Sequence, residues 1–136
     1  MQRRSYIKTV LAGGATLAGT SIALAQPKPA AKNPILLHVD MQVDPAKEQV
    51  MIKNFHAEFK PTAMKHSGYI DVKIVKLRTA LMGKAPAGLN YRFALTFENE
   101  ELRQKWVASA DHQRVWPLIE NTLSDKNYTV LLFDAI

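Results

Sequence analysis

An α+β fold in the order β-α-β-β-α-β is predicted by three features of the sequence. Runs at 35–43, 69–78, 90–98 and 128–134 read as strands, most of them alternating apolar and polar side chains. Two stretches, opening at Asp44-Pro45 and at Asn99-Glu100-Glu101, begin as helices begin. Strands then occupy the first, third, fourth and sixth places, which lets both helices cover one face of an antiparallel sheet, the ferredoxin-like arrangement.

In the first strand Ile35, Leu37, Val39, Met41 and Val43 share one face, and His38, Asp40 and Gln42 share the other. Asp44 then supplies an N-cap with Pro45 at the first helical position. Ile52, Phe55, Phe59 and Ala63 follow at spacings of three and four, an apolar stripe for the core. Pro61 is expected to kink this helix near its end, and Gly68 suits the exit. The second strand, 69–78, sets Ile70, Val72 and Ile74 against Asp71 and Lys73. A long connection at 79–89 holds Gly83, Pro86 and Gly88. The third strand, 90–98, turns Tyr91, Phe93, Leu95 and Phe97 inward and Arg92, Thr96 and Glu98 outward. Asn99 caps the next helical region, with acids at its positive end. That region runs to about Leu123 with a break expected near 109–111, and 128–134 is the last strand.

The outer face of such a sheet mixes Leu36, Ile70 or its neighbours, Ala94 and Tyr128 with His38, Asp40, Lys73 and Arg92. A face of that composition is expected to pair with a second sheet in a homodimer, leaving a cavity between sheet and helices.

The chain has 136 residues and no cysteine, so one domain is expected, and disulfides, thiolate metal sites and cysteine nucleophiles are excluded. The formal charge is +6, and half of it comes from Arg3, Arg4 and Lys8 in a stretch without acids. What remains forms no basic stripe, so nucleic acid is not an expected partner. Residues 1–25 have a charged start, an uncharged stretch from Thr9 to Ala25 and a closing Ala23-Leu24-Ala25, the layout of an export signal. Arg3-Arg4-Ser5-Tyr6-Ile7-Lys8 resembles the twin-arginine motif, with an ordinary secretory signal as the alternative. A short, glycine-diluted stretch does not suit a lasting membrane anchor. Residues 26–34 form a Pro-rich linker, and 35–136 the folded domain of a periplasmic or secreted protein.

The first strand, the Gly68-Tyr69-Ile70 entry and the segments Phe97-Glu98-Asn99-Glu100-Glu101-Leu102 and Trp106-Val107-Ala108-Ser109-Ala110-Asp111-His112-Gln113 resemble the dimeric α+β barrel superfamily. Within it, the chain is similar to antibiotic-biosynthesis-monooxygenase-like (ABM) domains and to stress-responsive barrel domains. The resemblance spans about 34–136. It implies a homodimer that binds a small aromatic or quinone-like molecule, either as a monooxygenase that needs no cofactor or as a non-catalytic binding or accessory module. Haem binding is a further alternative, because haem-degrading enzymes share the superfamily. In those relatives a helical Trp is followed about ten residues later by the iron-ligating His; counting from Trp106, that place here is Trp116.

His38 and Asp40 lie two apart on one strand face, which brings an imidazole and a carboxylate together. One reading makes His38 the base for a phenol or quinol proton, with Asp40 and Arg92 balancing charge. The other makes them a polar pair satisfied at an interface. Trp106 and Trp116 either flank an aromatic ligand or pack in the core. His112 joins them as a substrate-binding candidate and, at a helix N-terminus, is expected to be neutral with one hydrogen bond. His56 and His66 are expected on the solvated surface. No HxH or HExxH spacing exists, so no metal site is expected. Nor is there a phosphate loop, nucleophile elbow or paired-carboxylate motif. The 79–89 connection reads equally as a lid or as an arm around a neighbouring subunit.

Overall fold

A computed structural model describes residues 33–136. The expected signal at 1–25 and nearly all of the linker at 26–34 lie outside the described residues. No helix among the described residues is long and apolar enough to cross a membrane.

The four strands are β1 (Ile35–Met41), β2 (Tyr69–Lys76), β3 (Tyr91–Phe97) and β4 (Thr129–Asp134). They form one antiparallel sheet in the order β2-β3-β1-β4, as the ferredoxin-like α+β fold requires. Directly opposed residues share a face. Ile35, Leu37, Val39 and Met41 of β1 therefore stand with Phe97, Leu95, Phe93 and Tyr91 of β3 under the helices. Every residue of β4 is exposed.

The first helical region begins as the sequence predicts, with the Asp44 carboxylate accepting the Ala46 N–H at 2.9 Å. A 3-10 turn (Pro45–Lys47) leads into α1 (Glu48–Asn54), a π turn (Phe55–Phe59) and α2 (Lys60–Ala63). The π turn takes the place of the kink expected at Pro61. Proline has no N–H and its ring crowds the carbonyl four residues back. One extra residue in the preceding turn, where the Lys60 N–H donates to Phe55 O, opens the helix before Pro61. Phe55 and Phe59 both reach the core, with stacked rings 6.1 Å apart.

The second helical region breaks at Ser109, which is extended (φ −74°, ψ 154°). It separates α3 (Glu100–Ala108) from α4 (Ala110–Glu120). The Ser109 hydroxyl donates to Trp106 O at 2.6 Å and accepts the His112 N–H at 3.1 Å, so it closes one helix and caps the next. Met51, Phe55, Phe59, Ala63, Val115 and Ile119 from the helices pack on the sheet as one core.

Three expectations need correction. The second strand ends at Lys76, and a bulge between Tyr69 and Asp71 drops Ile70 out of the inward set, leaving Tyr69, Val72 and Ile74 on the helix side. Tyr128 does not belong to the outer face; its hydroxyl bonds to α4 residues beneath the helices. His66 is not a solvated surface residue, since its Nε2 donates to Asp111 at 3.0 Å and its ring meets Trp106 edge to face at 4.7 Å.

Candidate functional site

The six predicted site residues form two groups, and the sheet lies between them. His38, Asp40 and Arg92 occupy the open face. Trp106, His112 and Trp116 occupy the helix side. The sequence reading had His38 acting on a ligand held between Trp106 and Trp116, and the structure does not join these residues in one pocket. The reason is the strand pleat: His38 is out of phase with Leu37 and Val39, which face the helices.

On the open face Asp40 and Arg92 are direct cross-strand partners. Arg92 Nε and Nη2 donate to the two Asp40 carboxylate oxygens at 2.6 and 3.1 Å, a bidentate pair. Arg92 is thereby held more firmly protonated than usual, chiefly by that hydrogen bond. His38 lies opposite Ala94 and Leu131 and packs on Phe133, ring centroids 5.0 Å apart. Its pKa is lowered, first by burial and then by the Arg92 charge, with Asp40 pulling the other way. Around them Val75, Leu131 and Phe133 stand 45%, 41% and 45% exposed, so the face is part polar and part apolar.

On the helix side is a cavity of about 210 Å³. Its floor is Leu37, Val39, Phe93 and Leu95, with Val130 of β4 at one side. Its other walls are Phe59, Trp106, Val107, Trp116 and Tyr128, and His112 completes it. On the helix wall the packing is aromatic: Trp106 meets Phe59 and His112 edge to face at 5.7 and 5.1 Å, and the His112 and Trp116 rings stack at 6.3 Å. Trp106 is both core and wall, being only 1% exposed.

Two polar groups border this apolar space. The Tyr128 hydroxyl donates to Glu120 at 2.7 Å and accepts from Trp116 Nε1 at 3.3 Å, so its hydrogen-bonding needs are met within the chain. Burial, then the Glu120 bond, raises its pKa. His112 differs. Its Nδ1 is the one buried side-chain polar atom among the described residues with no hydrogen-bond partner. Burial and the nearby Arg103 charge lower its pKa, which favours the neutral ring. A buried nitrogen left unpaired costs free energy.

Haem does not fit this site. A cavity of about 150 Å³ is filled by benzene, so one of about 210 Å³ has no room for a porphyrin. Among the described residues no cluster of three His, Asp or Glu could hold a metal ion. The sequence reading missed Tyr128 as a cavity wall, and missed the His66–Asp111 link that fixes the start of α4 behind Trp106.

No protein-family model and no curated protein matches this chain. Solved structures do. A candidate antibiotic biosynthesis monooxygenase from Caulobacter crescentus CB15 is similar with a TM-score of 0.63 at 12% identity, over 79% of this chain and 93% of that one. A candidate antibiotic biosynthesis monooxygenase from Bordetella bronchiseptica gives 0.61 at 17%, over 77% and 99%. A dimeric ferredoxin-like protein of unknown function from Jannaschia sp. CCS1 gives 0.59 at 15%, over 76% and 98%. At these identities the likeness establishes the fold alone: a ferredoxin-like α+β domain of the kind those proteins share.

Proposed function

We propose that this protein binds a small, flat aromatic molecule bearing a hydroxyl in the helix-side cavity and oxygenates it without a prosthetic group. The carrying observation is the neutral His112, set between two indoles on the wall of an otherwise apolar, aromatic-rich cavity. A phenolic O–H is the natural complement: the ring fills the aromatic walls and the hydroxyl donates to the imidazole. Transfer of that proton to His112 gives an electron-rich phenolate. With O₂, one oxygen atom forms a bond to the ring carbon para to the phenolate. The other leaves as water with the phenolic and ring hydrogens. The substrate supplies all four electrons that reduce O₂ and becomes a quinone. His112 thus takes the base role that the sequence reading gave to His38.

A second reading is favoured by one feature: among the described residues no cation lines the cavity to hold a developing negative charge. On that reading the protein binds or carries the aromatic molecule without turning it over.

The open face supports a homodimer in which two sheets pack face to face. His38 and the Asp40–Arg92 pair then lie inside the interface beside Leu131 and Phe133. The dimeric neighbour of the same fold agrees with this. Export through a twin-arginine-type signal completes the proposal, resting on Arg3, Arg4 and the weakly apolar stretch to Ala25.

The test is a titration with 1-naphthol followed by tryptophan fluorescence, since both tryptophans line the cavity, together with an oxygen electrode. Saturable quenching, lost in His112→Phe, supports the site. Uptake of one O₂ per quinone formed supports oxygenation, whereas binding with no uptake selects the carrier. No saturable quenching overturns both.

A further inference from the structure

We infer that residues 77–89 form an arm whose apolar tip, Leu81 and Met82, seats on a second copy of this chain. The inference rests on the homodimer proposed above and adds a contact to it. Leu81 and Met82 are 95% and 94% exposed, far above the other large apolar side chains within the elements. They do not belong to a loose loop. Its base is fastened: the Leu77 N–H donates to Asn90 O at 2.9 Å, and the Asn90 N–H to Met41 O at 3.0 Å. Asn90 also brackets Val43, accepting its N–H and donating to its carbonyl, both at 2.8 Å. The returning limb is held by the Leu89 N–H to Pro86 O bond at 3.2 Å, with Gly88 close against Gln42. A fastened base with an unsupported apolar tip presents that tip to something outside the subunit.

Position and area name the occupant. Val75 and Arg92 of the open face share a groove with Met82, Pro86 and Leu89 of the arm, so the arm borders the surface assigned to the dimer. A stable interface draws about 800 Å² of accessible surface from each partner, and the arm adds its exposed apolar tip to what the sheet face supplies. The arm extends the face along one side, and two-fold symmetry makes the contact reciprocal, so each copy gives one arm and receives one.

The test is a dilution series of the purified protein by sedimentation, comparing wild type with the double variant Leu81→Ser/Met82→Ser. Both side chains are exposed, so the variant keeps its fold, which circular dichroism verifies. The expected result is a dimer dissociation constant raised about tenfold or more. A second measurement uses the lack of cysteine: Leu81→Cys labelled with an environment-sensitive dye should shift its emission to the blue as the dimer forms. A wild-type dimer with unchanged affinity in the double variant and no dye shift overturns the arm and leaves the dimer standing. A wild type that stays monomeric overturns the dimer itself, and the arm with it.

Discussion

Asp40 and Arg92 face each other across β1 and β3 and are joined by two hydrogen bonds, although the Asp40 side chain is only 9% exposed and Arg92 38%. The pair is therefore half-sheltered, and removing one member leaves the other badly placed. Arg92→Ala should cost about 1–2 kcal/mol in urea unfolding, a figure kept low because Arg92 still meets solvent. The double variant Asp40→Ala/Arg92→Ala should cost less than the sum of the two single changes.

His112 should trade stability for function. Replacing its imidazole by the phenyl ring of His112→Phe removes an unpaired buried nitrogen while keeping the contacts with Trp106 and Trp116. The variant should unfold at higher urea, by about 1 kcal/mol, even as it loses ligand binding. A loss of stability would show that the nitrogen is satisfied in the folded chain.

The same residue sets a pH dependence. The unfolded chain takes up the His112 proton near its ordinary value of 6.5, whereas the folded chain takes it up only at lower pH. Between those values the unfolded state holds more protons, so stability falls as pH drops through the window and is unaffected above it. His38 has the same sign. Urea midpoints should be level above about pH 6.5 and decline below it, and less steeply in His112→Phe.

Gly68 and Gly83 should respond differently to alanine. Both have positive φ, +90° and +71°, so each pays a backbone penalty of about 1 kcal/mol. At Gly83 the added methyl meets nothing within 4 Å, while at Gly68 it would come within 2.7 and 2.8 Å of Leu102 Cδ1 and Cβ. Gly68→Ala should therefore cost about 2–4 kcal/mol, since Leu102 must move at the start of α3. Thermal melts of the two variants would separate strain from clash.

Much of this was legible in the residues. The alternation of β1 and β3 named the helix-side face, and the Ser109 break was visible as an interrupted helix. That alternation also put His38 on the side away from the helices, so its distance from the tryptophans follows from the pleat. The bulge at Ile70 was hidden, because an extra residue in a strand leaves no mark on a short apolar run. The π turn was hidden too, since a proline reports that a helix must adjust and not how. Tyr128 stands just outside β4, where a period of two no longer fixes direction. His66 is tied to Asp111 across 45 residues, a pairing that local patterns do not encode.

The two borders of the sheet differ in a way that matters for an unassembled copy. β2 guards its rim with Lys73, Lys76 and a bulge, features that discourage another strand from adding on. β4 has no such guard. Thr129-Val130-Leu131-Leu132-Phe133-Asp134 is a mostly apolar strand without lysine or proline, and among the described residues its outer amides and carbonyls have no neighbouring strand. A copy left alone is thus a template for edge-to-edge growth. Crowding at synthesis, or any change that weakens pairing, should show itself first as aggregation and only later as lost activity.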